Sequence, residues 1–447
     1  MIGLTDIFPE HQLNDWLNQL KKELKEDAFE RLNAVDPIED LVIISNAHKN
    51  NTTSLGGTPG QLPYYRGARS ESNQWKNVFY VHADSAESAN KRALNALMNG
   101  ADSLRFDVRN TEDLNLRALT KDIQFEYIES QWLIRTIEHW QAILDHFEQK
   151  LPKNFKVLYD HFDIQNEELF QSLVDFFKDN QLPFLLVNGF EIHEAGSSAW
   201  QEVAFCLTVG NDYLEQLIAR GYSIDQATAC LSFSTGVGSN YFIEIAKFRA
   251  LRWAWSSIVA AYTPQHKCSH LMQIMAEIGW LNKSTKDPNT NFLRQTTEAM
   301  SAIIGGIQGL LIYPFDMHTV RGISEKSERM ALTIPLILQE ESLLNQVIDP
   351  AGGSYNIENL THQIATKSWN FFQELHEMGG LLNQAALELI HAGISELRTK
   401  RVERLTSNKD QFIGINCFYN PTDSDNSFLV RQAYRSFEPL NLEIYCS

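Results

Sequence analysis

The sequence predicts an α/β chain folded as a (β/α)8 barrel of the TIM type, with an N-terminal helical arm and a short C-terminal tail. Two observations carry this expectation. Eight short apolar runs recur from residue 77 onward, and nearly every one is followed by a stretch of helical periodicity. Strands that alternate with helices pair in parallel through crossovers, and about eight such units suit a closed barrel better than an open doubly wound sheet.

Ahead of the barrel, "WLNQL" and "AFERL" between Thr5 and about Leu32 read as an amphipathic helix, entered from an extended "IFPEH" with Pro9. "GGTPGQLPYYRGARS" marks irregular backbone. The first unit is "NVFYVHA" (77–83) followed by the helix "ESANKRALNALMNG", which ends at Gly100. "SLRFDV", "IQFEYIE", "KVLYDHF", "FLLVNGF", "CLSFSTG", "LMQIMAE" and "LLIYPFD" repeat the strand signal. The second unit is the weakest, because "TEDLNLRALT" is short for a crossover helix. In "NYFIEIAKFRALRWAWSSIVAAY", Ile245, Phe248, Leu251 and Trp255 recur at helical spacing while Glu244 and Lys247 fall elsewhere, which predicts one apolar face on a sheet. Beyond the last unit, "LTHQIATKSWNFFQELHEMGG" is another amphipathic helix, and "FIGINCFYNPTD" leads into a tail without periodicity. The expected division is an arm over 1–40, a barrel over 41–390, and a C-terminal helix and tail over 391–447.

With 447 residues, 43% of them hydrophobic, the chain can bury one large core. A net charge of -18 disfavours nucleic acid and anionic membranes as main partners, since both reward the Lys and Arg that are outnumbered here. The five cysteines (Cys206, Cys230, Cys268, Cys417, Cys446) have neither C-x-x-C spacing nor zinc-finger context, and read as reduced thiols. The N-terminus lacks a secretory pattern, and no apolar run approaches the roughly 20 residues of a membrane span. A soluble cytoplasmic protein is expected.

Barrel enzymes carry their chemistry at the C-terminal ends of strands. The apolar runs end on His82, Asp107, Glu129, Asp160, His161, Glu191, Glu277 and Asp316. Two carboxylates such as Glu129 and Glu191 could divide acid and base roles in a free-standing hydrolase. In "NGFEIHEAG" (188–196), Glu191, His193 and Glu194 have the chemistry of metal ligands. Read as a strand, residues 191 and 193 share a face while 194 points away, so no three-ligand site is expected there. Gly305 and Gly306 lack the P-loop and dinucleotide patterns, so they read as close helix packing rather than a phosphate cradle. No G-x-S-x-G elbow and no Cys/His pairing is present. From residue types alone the activity stays open.

Several stretches together resemble the barrel portion of adenosylcobalamin-dependent methylmalonyl-CoA mutase. They are "FPEHQLNDWLNQLKKELK", "TPGQLPYYRG", "NGFEIHEAG", "LSFSTGVGSNYFIEIAKFRALRWAW", "TTEAMSAIIGGIQG", "LILQEESLLNQVIDPAGGSYNIENLT" and "IGINCFY", in the family's order and over nearly the whole chain. "EIAKFRA" and "DPAGGSY" are the most specific. The resemblance implies the barrel fold, and it also implies a loss. Catalytic members of the family read Tyr-His where Phe190 and Glu191 stand, inside the matching Gly189 and Glu194-Ala195-Gly196 frame. While ionised, Glu191 cannot donate the hydrogen bond that the family's histidine gives to the thioester.

By the same resemblance, the family's Thr-Met-Tyr has no counterpart in "ARSESNQWKNVF", and its substrate-pairing arginine finds no match between Arg109 and Asn188. Gln308 alone keeps the place of a substrate-contacting glutamine, so Phe190, Glu191 and Gln308 are expected to be vestigial positions. The polar seventh strand is replaced by "MQIMAEIGW", which predicts an apolar, filled bore, and no Asp-x-His-x-x-Gly cobalt-ligand motif occurs. The resemblance thus implies a non-catalytic small subunit with no catalytic, cofactor or metal residues of its own. Its expected partner is a large catalytic subunit that holds adenosylcobalamin and interconverts methylmalonyl-CoA and succinyl-CoA. A competent mutase barrel that uses a separate cobalamin-binding chain is the first alternative, and the hydrolase is the second.

Overall fold

The computed structural model describes residues 11–24, 32–52, 56–83, 85–111, 114–180, 182–418 and 426–445. Eight parallel strands form the barrel: β1 Lys76–His82, β2 Ser103–Asp107, β3 Glu129–Leu133, β4 Phe155–Leu158, β5 Leu185–Asn188, β6 Leu231–Gly236, β7 Ile274–Ile278 and β8 Gly309–Ile312. Hydrogen-bonded neighbours run β4-β3-β2-β1-β8-β7-β6-β5. The ring closes between β4 and β5: Tyr159 N–H donates to Phe184 O at 3.1 Å and Leu186 N–H donates to Tyr159 O at 2.9 Å.

The side-chain period of two explains how one strand serves two surroundings. In β2, Leu104 and Phe106 pack outward into the main core, while Arg105 hydrogen-bonds across the bore to Gln131 of β3 and Glu277 of β7. A parallel sheet covered by helices is buried on both faces, which is why its strands read as apolar runs.

Around the strands, helices begin where side chains satisfy their first free N–H groups. Ser198 and Gln201 form a capping box at the start of Ala199–Ala219, and Thr136 caps Ile137–His146. The weak second unit is indeed short, its helix being only Leu116–Leu119, capped by Asn115.

Three expectations are corrected. "IQFEYIE" is not the third strand; β3 begins at Glu129, where Trp132 supplies the buried aromatic that stacks on Phe106 at 4.4 Å. "NGFEIHEAG" does not continue β5 as a strand. Asn188 ends β5 and Gly189–Glu194 is a helix. The helix Tyr241–Ala261 is buried on nearly all sides, so Glu244, Lys247, Arg249 and Arg252 are inside together with the predicted apolar face.

Outside the barrel, the arm contains the helix Leu13–Glu23, none of whose residues is buried. The expected extent over 5–10 and 25–31 lies outside the described residues. A two-stranded hairpin, Ala34–Val35 with Val42–Ile43, docks on the barrel through Glu39, whose carboxylate accepts from Ala199 N–H at 2.7 Å. Among the described residues, no helix is long and apolar enough to cross a membrane.

Candidate functional site

At the C-terminal end of the barrel lies a cavity of about 630 Å³. Its floor is a continuous aromatic wall: Tyr313 lies 5.1 Å from Tyr80, 5.4 Å from Phe190 and 4.7 Å from Trp280, between ring centroids. Residues 430–434 of the C-terminal tail line the opposite side. The tail is tied down at several points. Leu429 N–H donates to His318 O at 2.7 Å, Arg431 Nη1 pairs with Glu194 Oε2 at 2.8 Å, Tyr434 OH donates to Asp160 Oδ2 at 2.7 Å, and Leu440 N–H donates to Glu194 O at 2.7 Å.

The helix Gly189–Glu194 sends its side chains in three directions. Glu191 faces the cavity with Phe190, and burial raises its carboxyl to about 7 despite the nearby Arg431 and Arg109. His193 turns to Glu202, with Nδ1 3.4 Å from Oε2. Glu194 accepts from Trp280 N–H at 3.0 Å and Leu281 N–H at 3.4 Å. A helix turn spreads these groups, so they do not converge on one ion. Two glycines admit this packing. A Cβ at Gly236 would lie 2.1 Å from His193 Cγ, and one at Gly279 would lie 2.5 Å from Glu194 Oε1.

Below the cavity the bore is filled, but the expectation of an apolar filling is corrected. Arg105 Nε donates to Gln131 Oε1 at 2.8 Å, and its Nη1 pairs with Glu277. Ser234 Oγ and Tyr313 OH donate to the same Glu277 carboxylate, at 2.5 and 2.8 Å. Each charged end is met, as a buried ion pair requires.

The remaining strand-end residues separate into structural roles. Asp107 accepts from Arg109 Nε at 2.9 Å, Arg109 Nη2 at 2.6 Å and Tyr80 OH at 2.7 Å; burial opposes its charge, yet these donors bring its carboxyl down to about 2. His82 lines the cavity. His161 stacks on Phe170 at 4.1 Å, and burial lowers it to about 4. Asp316 accepts from Ser324 Oγ at 2.6 Å at the start of the helix Glu325–Glu340. Gly305 is a packing glycine, since a Cβ there would lie 2.6 Å from Phe248 Cδ2.

Glu129 is not at a C-terminal end. It opens β3 at the opposite rim, where Lys156 Nζ lies 2.8 Å from Oε2. The carboxyls of Glu129 and Glu191 therefore stand at opposite ends of a parallel barrel and cannot share a reacting bond. Gln308 also lies at that lower rim, just before β8, beside a cavity of about 370 Å³. Its amide is engaged by backbone, accepting from Ile274 N–H at 2.7 Å and donating to Gly306 O at 3.2 Å. The structure thus brings Phe190 and Glu191 together and leaves Gln308 apart.

Sequence reasoning missed Tyr80, Trp280 and Tyr313 as one wall, and Arg109, Arg135 and Arg431 as its basic surroundings. The strand periodicity of "NVFYVHA" could have turned Tyr80 inward, whereas nothing local marks Arg431.

Residues 168–436 match the family profile described as methylmalonyl-CoA mutase. The small subunit of methylmalonyl-CoA mutase from Porphyromonas gingivalis is 31% identical over an alignment of 478 positions, gaps included, covering 97% of this chain and 75% of that one. The chain belongs to the methylmalonyl-CoA mutase family. Full mutases agree over a shorter span: that of Cereibacter sphaeroides is 33% identical over 230 residues, 52% of this chain and 32% of its own length. The human mitochondrial mutase is 33% identical over 231 residues, 52% of this chain and 31% of its own. The chain thus matches about a third of these mutases. Dihydropteroate synthase of Burkholderia cenocepacia has a TM-score of 0.34 at 12% identity, covering 60% of this chain and 93% of that one, too loose a likeness to bear on function.

Within this mutase-family barrel, the tail's hold on the mouth is testable. Tyr434→Phe removes one hydrogen bond to Asp160, whose carboxyl burial already raises to about 6. A loss of about 1–2 kcal/mol is expected, together with faster proteolytic cutting of the tail. Thermal unfolding and timed digestion measure both.

Proposed function

We propose that the chain is the non-catalytic small subunit of a heterodimeric methylmalonyl-CoA mutase, and that it stabilises a large subunit which interconverts methylmalonyl-CoA and succinyl-CoA. The observation that carries this reading is the closed barrel. Arg105 and Glu277 plug the bore through which a long thioester would have to thread, and by the family resemblance Phe190 and Glu191 take the places of the Tyr-His of catalytic members. The plug also counts against a competent barrel served by a separate cobalamin chain.

Adenosylcobalamin does not fit the residues present. A macrocycle approaching the mouth meets residues 430–434, which the bonds of Leu429, Arg431, Tyr434 and Leu440 hold in place. We therefore assign the cofactor to the partner and regard Phe190, Glu191 and Gln308 as vestigial. The proposed division is arm 1–40, barrel 41–390 and C-terminal helix and tail 391–447.

The arm supports a partner. The helix Leu13–Glu23 turns Leu13, Trp16, Leu17 and Leu20 to one side, all only partly buried. Leaving apolar area wet is unfavourable by about 25 cal/mol per Å², so a subunit surface that covers this side stabilises both chains. Purification from the native source tests the reading. A longer cobalamin-containing chain is expected in equal amount; recovery of this chain alone, active and with its own corrinoid, would overturn it.

A further inference from the structure

We infer that the cavity at the barrel mouth is a binding site for a small organic carboxylate, its charge held by Arg109 and Arg135 and its apolar body laid against Tyr80, Trp280 and Tyr313. This goes beyond the subunit assignment, because the ligand is a free acid too short to thread the bore.

The argument rests on hydrogen-bonding capacity left unspent. Asp107 already accepts four bonds, from Arg109 N–H, Nε and Nη2 and from Tyr80 OH, so it has nothing left for a cationic ligand. Arg109 spends Nε and Nη2 on Asp107, and no hydrogen bond engages its Nη1 among the described residues. Arg135 is exposed on the cavity wall and makes no ion pair or hydrogen bond among the described residues. Two guanidinium groups thus offer N–H donors to one opening, and a planar carboxylate is the anion whose two oxygens match that fork. The aromatic wall then supplies the apolar surface that a ligand pocket pairs with a few fixed polar groups.

Glu191 makes the site sensitive to pH. It is surrounded by Arg431 from the tail, Arg109 after β2, Glu194 on its own helix and Glu277 of β7, with Asp163, His82 and His318 also on the cavity wall. Burial raises its carboxyl to about 7. A bound carboxylate competes with ionised Glu191 for Arg109, so well above pH 7 it binds with uptake of up to one proton from solvent onto Glu191, and at pH 6, where Glu191 already holds its proton, with little uptake. A raised folded pKa means the protonated form, and with it the affinity, is present below that value and lost as pH rises through it.

Calorimetric titration of the full chain with benzoate, benzamide, benzylamine and inorganic phosphate tests the site. Benzoate is expected to bind at pH 6 and about tenfold more weakly at pH 8, with benzamide, benzylamine and phosphate weaker than benzoate. Glu191→Gln, which keeps the shape and stays neutral, should abolish the pH dependence and retain the affinity seen at pH 6. Arg135→Gln lies on the exposed wall and should weaken benzoate about tenfold without changing the fold. Failure of benzoate to bind at millimolar concentration, tighter binding of benzylamine or phosphate, or indifference to both variants would each overturn the proposal.

Discussion

Replacing Arg249 by methionine is expected to destabilise the chain by about 3–5 kcal/mol, because it leaves a buried carboxylate without its cation. The Arg249 side chain is fully buried; it pairs with Asp349 and, at 2.5 Å, with Glu358, and it lies over the Tyr65 ring at 5.1 Å. Asp349 keeps a second partner, Arg66 Nε at 2.6 Å, but Glu358 has no other ion pair among the described residues. This cluster is what "EIAKFRA", "DPAGGSY" and "PYYRG" build together, which gives those motifs a packing role rather than a chemical one. Denaturant unfolding measures the loss. Arg249→Met with Glu358→Met should recover most of it, since apolar side chains of similar volume replace a buried pair at little cost.

Lys247→Met is expected to cost a similar amount, about 3–5 kcal/mol at pH 8, and less as pH falls. Lys247 Nζ donates to Glu202 Oε2 at 2.8 Å and Gly236 O at 2.7 Å, and pairs with Glu244 Oε2 at 2.6 Å. Burial alone would raise Glu202, but Lys247 and His193 hold it below its ordinary value. Such a depressed carboxyl contributes stability above its unfolded pKa and loses it in acid. Without Lys247, burial dominates and the folded pKa rises, which reverses the sign: the variant is most stable at low pH and weakens as pH climbs towards 8. Unfolding at pH 5.5 and pH 8 distinguishes the two slopes.

The barrel was legible because strands buried on both faces leave runs of apolar residues, and those runs alternated with helical periods. Its bore was legible only in part. Arg105 stands between Leu104 and Phe106 and shares its face with Ser103 and Asp107, and Glu277 is the single polar residue of β7; polar positions at period two mark inward side chains. The composition of "MQIMAEIGW" predicts an apolar filling, and Glu277 reads there as a strand-end candidate, not as the carboxylate that meets Arg105 inside the bore. "NGFEIHEAG" was misread as strand because a six-residue helix after an apolar run has too little period to show. Even so, the frame placed Phe190 and Glu191 at the mouth. The tail was opaque for a different reason: residues 427–440 have no periodicity, and what fixes them is contact with Glu194, Asp160 and His318, far away in sequence.

If the barrel does no chemistry, as proposed, methylmalonyl-CoA turnover by the assembled complex is indifferent to Arg105→Met together with Glu277→Met in this chain. That pair fills the bore and touches nothing assigned to catalysis, so kcat and KM should stay within about twofold of the unaltered complex, given that a tenfold change would need about 1.4 kcal/mol of transition-state stabilisation. A fall in kcat of several orders of magnitude, with assembly and cobalamin content intact, would contradict the account.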